Sequence, residues 1–269
     1  HIASIGLEPK LAISSHTLAL RSDGTVWSWG NNENGQLGDG TFSSNSNPVQ
    51  VVGLFDVVDI SVGDAHSLAL TADGSVWSWG NNKDGQTTNG LPAVGYNDWI
   101  HYFVLPPHIP TKISSLSNIV QVSARKSNSA AVTEDGKVLV WGQNSEGQLG
   151  DGTTDDSSTP IEVAGLTDIA AVSVGNSFMA ALKRDGTVWV WGSNGSGQMG
   201  NGTKEYAYTS PAQVAGLKNI TAVVAGGNFV LALDGDGSIW SWGENNGGVQ
   251  GSGQLGDGSA TERLTPVKA

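Results

Sequence analysis

The sequence predicts an all-β chain, a β-propeller of five four-stranded blades, and three observations carry that prediction. A stretch that reads DGTVWSWGNNENGQLGDGT at Asp23 returns in close form at Asp73, Asp135, Asp185 and Asp236, at spacings of 50, 62, 50 and 51 residues. A period of that size means one supersecondary unit per repeat, each needing neighbours to bury its faces. The 269 residues include 38 Gly and only 14% charged residues, a composition rich in turn formers and poor in helix formers. Each repeat also holds four short apolar runs, the strand count of a propeller blade. The repeats are approximately 10–56, 57–118, 119–168, 169–219 and 220–269, in one domain over 1–269. A closed ring is favoured over an open or partial one.

The first run of each repeat, Lys10 to Ile13, Val57 to Val62, Ile119 to Val122, Ile169 to Val174 and Ile220 to Val224, is mostly β-branched and four to six residues long. That favours an inner strand buried on both faces. The second run, HTLAL at His16, HSLAL at His66, NSAAV at Asn128, FMAAL at Phe178 and FVLAL at Phe229, alternates small Ala with larger residues, as close sheet packing requires. Asp-Gly pairs then separate it from the third run. Gly24, Gly74, Gly136, Gly186 and Gly237 supply the positive φ of a bulged hairpin turn, so the adjoining Asp residues read as turn chemistry rather than as catalysts. In the third run the period of two sets Trp27 with Trp29, Trp77 with Trp79, Trp189 with Trp191 and Trp240 with Trp242 on one face, and repeat three has Leu139 with Trp141. Trp recurring between similar units reads as core before it reads as a sugar platform. The fourth run starts at Pro48, Pro110, Pro160, Pro211 or Pro266, and a residue without an N–H belongs on the outermost strand.

The segment from Val51 to Gly90, with its VxGL connector, GxxHSLAL, DGxVWSWG and NxxGQ pieces, resembles the regulator of chromosome condensation repeat. The resemblance covers nearly the whole chain and implies a propeller of antiparallel four-stranded blades. Families of this kind include exchange factors for a small GTPase, accessory modules of ubiquitin ligases and kinases, exported bacterial proteins and a β-lactamase inhibitor. Well-known members have seven repeats where this chain has five, and with the acidic charge this counts against nuclear exchange. The expectation is a bacterial, extracellular or cell-surface protein. The start at His1 without Met suggests a processed product or an excerpt. By spacing, Ile13 in repeat one and Arg125 in repeat three replace the glycine that precedes the second run, so those two loops are expected to differ locally.

Little in the sequence points to an enzyme. A formal charge of -12 disfavours nucleic acid, the lack of Cys removes thiol chemistry, and no apolar run is long enough to span a membrane. No cofactor is expected. His16 and His66 share a position with Asn128, Phe178 and Phe229 and read as packing; His101 and His108, and the pairs Asp234/Asp236 and Asp155/Asp156, fall short of a metal site. In a repeat protein the departures from symmetry carry recognition. The largest is an insertion in repeat two, Leu91 to Pro110, with Tyr96, Trp99, His101, Tyr102 and Phe103; Arg125 and Lys126 form a basic pair in an acidic chain, and Gly248 to Ser252 reads as a flexible extension. In an up-and-down blade the loops after strands one and three share one end, so the insertion and Arg125-Lys126 are expected side by side as a patch for a partner protein. The opposite end, with the Asp-Gly turns, is expected to be a passive acidic rim. The alternatives are a carbohydrate-binding or hydrolytic propeller and a GTPase exchange factor.

Overall fold

The computed structural model describes residues 8–88, 107–246 and 253–269. Among these it contains twenty strands and no helix, in five antiparallel four-stranded sheets whose strands lie in chain order. Blade 1 consists of β1 (Lys10–Ile13), β2 (His16–Leu20), β3 (Val26–Gly30) and β4 (Asn45–Gln50). Blade 2 follows with β5 (Val57–Val62), β6 (His66–Thr71), β7 (Val76–Gly80) and the short β8 (Thr111–Lys112). Blade 3 has β9 (Ile119–Arg125), β10 (Asn128–Thr133), β11 (Val138–Gly142) and β12 (Ser157–Glu162). Blade 4 has β13 (Ile169–Val174), β14 (Phe178–Lys183), β15 (Val188–Ser193) and β16 (Ala207–Gln213). Blade 5 has β17 (Ile220–Ala225), β18 (Phe229–Asp234), β19 (Ile239–Gly243) and β20 (Arg263–Lys268). The chain divides into two compact units, His1–Glu134 with Ser157–Pro160, and Asp135–Asp156 with Ile161–Ala269.

Alternation in the strands decides what each blade buries. In the first unit Leu18, Leu20 and Val26 of blade 1 form one buried cluster with Val57, Ile60, Val62, Ala69 and Trp79 of blade 2, sealed by Val51 and Leu54 of the connector. In the second unit Phe178, Ala180, Leu182, Val188 and Val190 of blade 4 do the same with Val223, Ala225, Val230, Ala232 and Trp242 of blade 5. Residues two apart on one strand thus share a face, and adjacent residues serve opposite neighbours. The tryptophans of the third strand, two apart and so on one face, divide instead by their place along the strand. Trp79, Trp141, Trp191 and Trp242 are fully buried, whereas Trp27, Trp77, Trp189 and Trp240 lie at the margin, half-buried.

Two outward blade faces show what burial supplies elsewhere. Leu11 and Ile13 stand opposite Ala19 and Thr17, as Ile60 and Val62 stand opposite Ala69 and Ser67. Ile60 and Val62 are buried, but Leu11 is 63% and Ile13 70% exposed. On blade 5, Leu233 is 39% and Ile239 47% exposed, although Leu182 and Val188 at the same positions of blade 4 are buried.

The hairpin between second and third strands has the expected geometry. Gly24 has φ 77° and its N–H donates to the Arg21 carbonyl (3.0 Å), while Arg21 N–H donates to Thr25 (3.0 Å). Asp23 accepts from the Thr25 N–H (3.0 Å) and hydroxyl (2.6 Å), which ties up the turn and holds its carboxyl below the usual carboxylate range. The fourth strand departs from expectation in its start. It begins upstream of the proline in four blades, and the pairing shifts register between Ser28 and Gly30, Val190 and Gly192, and Ser241 and Gly243. Pro48, Pro211 and Pro266 fall in those bulges, where no ladder N–H is required.

Candidate functional site: the loop end of the blades

Loops after the first and third strands meet at one end of each blade. Asn31 N–H donates to Ser15 O (3.2 Å), Asn81 to Ala65 O (2.8 Å) and Ser193 to Ser177 O (2.8 Å), each a bond between those two loops. The Asp-Gly turns lie at the other end, against the connectors that enter the next blade: Val57 N–H donates to Gly24 O (3.2 Å) and Ile220 N–H to Gly186 O (3.2 Å). The topological part of the sequence argument therefore holds for these blades.

At the loop end the repeated residues form seams between blades. Gln36 O accepts from Trp79 Nε1 (2.8 Å) and from Ser67 Oγ (2.9 Å) of the next blade. Since Ser67 has given its one proton to Gln36, it accepts from His16 Nε2 (2.7 Å), which fixes the Nε2–H tautomer. One junction along, His66 Nε2 meets Ser129 Oγ (2.9 Å), which donates to Gln86 O (3.0 Å). Burial pushes His16 down to about 4; burial first, then the neighbouring His16, pushes His66 down to about 3. Both are neutral structural groups. Packing was the right reading of this position, but the hydrogen bond to the next blade is new. Its sequence signal is the Ser after the first residue of the following second strand, Ser67 and Ser129, where Met179 and Val230 occupy the later repeats.

The glycine-rich stretch after the third strand is ordered by a buried asparagine. Asn144 Nδ2 donates to Asp151 Oδ1 (3.3 Å) and Thr153 O (3.2 Å), while its Oδ1 accepts from Leu149 N–H (2.8 Å). Asn32, Asn194 and Asn245 make the equivalent bond to Leu37, Met199 and Leu255 N–H. The stretch also docks blades. Gly152 N–H donates to Thr209 O (2.8 Å) and Gly202 N–H to Leu264 O (2.8 Å).

Tyr96, Trp99, His101, Tyr102 and Phe103 of the expected patch lie outside the described residues, as does the whole Gly248 to Ser252 extension. The end of the insertion, from Pro107, is described: Pro107 O accepts from Gly80 N–H (2.7 Å), His108 O accepts from Gly40 N–H (3.1 Å), and the His108 ring stands 4.9 Å from Phe42. His108 is thus seated on blade 1 at the loop end. Arg125 ends β9 exposed, opposite Asn128; Lys126 follows with φ 52°, accepts from Asp64 N–H (3.0 Å) and pairs with the Asp64 carboxylate at 3.6 Å. The loop in blade 1 differs from expectation in kind. Ser14 N–H donates to His16 O as Gly63 N–H donates to His66 O, so Ser14 takes the glycine's place in a loop one residue shorter, and Ile13 remains on the strand. Among the described residues no three His, Asp or Glu side chains group as metal ligands, and none of the described structure is a helix long and apolar enough to cross a membrane.

The family model of the RCC1-like domain matches residues 11–269. The chain belongs to the RCC1-like domain family. It is 31% identical over 149 residues to the ultraviolet-B receptor UVR8 of Arabidopsis thaliana, 55% of this chain and 32% of that protein. It is 32% identical over 150 residues to the E3 ubiquitin-protein ligase HERC2 of Homo sapiens, 54% of this chain and 3% of that protein. The matched region is at most a third of these relatives' length. Among solved structures, Prp20p of Saccharomyces cerevisiae, described with its binding to Gsp1p and histones, superposes with a TM-score of 0.76 at 28% identity, over 97% of this chain and 64% of that one. Human WBSCR16 superposes with a TM-score of 0.78 at 26% identity, over 94% and 64%. In this RCC1-like chain the repeated His, Ser, Trp, Asn and Asp residues are committed to seams, loop knots and turns.

Proposed function

We propose that this RCC1-like chain is a non-enzymatic scaffold that binds a partner protein through the loop end of its blades. The observation that carries the reading is the commitment of the repeated polar residues to structure, which leaves the non-repeating residues for recognition. Arg125 and Lys126 are exposed at that end, and His108 brings the insertion's exit to it. The binding of Gsp1p and histones by Prp20p supports protein recognition as the mode of a related propeller. The test is affinity capture with the purified chain from native lysate and culture supernatant, followed by titration of the recovered partner. Alanine at Trp99, Phe103 and Arg125 is expected to weaken that binding by about 1 kcal/mol or more each. Unchanged affinity in all three removes this surface from the proposal. Micromolar glycan binding lost on Trp99→Ala would favour the carbohydrate alternative, and accelerated nucleotide release from a small GTPase the exchange alternative.

A further inference from the structure

The Asp-Gly end of blade 2 carries an irregularity that the repeat does not explain. At the margin of blades 1, 4 and 5 the half-buried tryptophan of the third strand lies beneath a cation: Arg21 is 6.0 Å from the Trp27 ring, Lys183 is 5.8 Å from Trp189 and Lys268 is 5.5 Å from Trp240. Arg21 and Lys183 occupy one position, fixed by the N–H bonds that they make to Thr25 and Thr187. Blade 2 has Thr71 there, bonded in the same way to Ser75. Its cation is Lys112, which pairs with Trp77 across the strands as Lys268 pairs with Trp240 and whose charge helps hold the Asp73 carboxyl down, yet no cation stacks on the Trp77 ring among the described residues. A groove of about 530 Å³ opens instead, lined by Trp77, Thr71, Asp73, Asp56, Leu54 and Phe55. That volume is in the range of ligand sites.

Phe55 strengthens the case. It precedes Asp56, whose φ of 54° matches those of Asn118, Asp168 and Asn219 in the later connectors. The residues before those three are Ser117, Thr167 and Lys218, so only this connector among the four presents an aromatic, and it does so 67% exposed. Two carboxylates flank the ring, and the Thr71 and Ser75 donors hold Asp73 ionised.

From this we infer that the groove receives an arginine side chain from a basic segment of a partner protein. The inference rests on the protein-binding reading but uses the opposite end of the blades. Blade 1 contains the template, since Arg21 lies over Trp27 and 3.6 Å from Asp23, the counterparts of Trp77 and Asp73. An arginine entering blade 2 completes the same arrangement, its plane on Trp77, its fork toward Asp73 and Asp56 and its stem along Phe55. A net charge of -12 draws such a segment in.

The probe is a fluorescein-labelled peptide Gly-Ser-Gly-Arg-Gly-Ser-Gly, with a glutamate version as control, titrated by fluorescence polarisation. Thr71→Arg, which gives blade 2 the residue of blade 1, and Phe55→Ser, which gives this connector the residue of the next, are each expected to weaken binding about fivefold or more. Asp185→Asn, at the turn of blade 4, leaves it unchanged. Unaltered melting temperatures for the two groove variants show that the fold is intact. Equal binding by Thr71→Arg and the parent, or an equal loss in Asp185→Asn, overturns the inference, the latter by showing general attraction to an acidic surface. A failed peptide titration with continued capture of a partner leaves the loop-end proposal standing, so the two readings fail separately.

Discussion

His16 and His66 are neutral because each is buried, and each uses its Nε2 proton on a serine of the next blade. Their folded pKa values, about 4 and about 3, lie below the unfolded value of about 6.5. Between these limits the unfolded chain binds the extra protons, so stability is complete above about pH 6.5 and falls as the pH drops toward the folded values. Each histidine contributes a slope of about 1.4 kcal/mol per pH unit within that window. Urea denaturation from pH 7.5 to 5 is expected to show the loss, and the double variant His16→Phe with Ser67→Val to reduce the slope by about half. Asp23, Asp73 and Asp185, whose carboxyls are depressed by turn hydrogen bonds, lose their contribution only below about pH 4 and do not confuse the reading. The burial of the two histidines was legible in their exchange with phenylalanine at one repeat position. Their partners were not, because the hydrogen bond joins residues of different blades, and a single repeat contains only half of it.

Among the elements, the loop after the third strand shows how tightly glycine is required. Gly150 and Gly152 both have positive φ, 66° and 87°, so both resist a side chain on conformational grounds. They differ in surroundings. A Cβ on Gly150 would stand 2.7 Å from Trp191 Nε1, while one on Gly152 meets nothing within 4 Å. Gly152→Ala is therefore expected to cost about 1 kcal/mol, and Gly150→Ala about 3 kcal/mol or more, because Trp191 must also leave its bond to Gln148 O (2.9 Å). Chemical denaturation of the two variants measures the difference. Strand order, the bulged Asp-Gly turns and the marginal fourth strand were readable from period and turn chemistry. The strand's earlier start was not, since its residues before the proline are mostly polar, and backbone pairing asks nothing of their side chains. Spacing alone also misplaced Ile13, because a loop shortened by one residue conceals itself when counted from the following histidine.

Over the whole molecule the repeat count was legible because it needs only self-similarity, whereas what lies against the outward faces of blades 1 and 5 has no trace in the repeat. Leu11, Ile13, Leu233 and Ile239 leave apolar surface of the kind that blades 2 and 4 bury at the same positions. The purified chain is expected to self-associate with rising concentration in sedimentation velocity, and Leu11→Ser with Ile13→Thr to shift it toward monomer without lowering its melting temperature. The seams have a further consequence for assembly. His16 and His66 each present a ring nitrogen to a serine, while Phe178 shares its buried cluster with Val230. A polar junction fits only a polar junction, and an apolar one only its like, since exchanging the partners would strand a buried hydroxyl or imidazole. The blades, alike in backbone, therefore carry addresses: a chain that emerges as five near-copies can reject a neighbour docked out of turn.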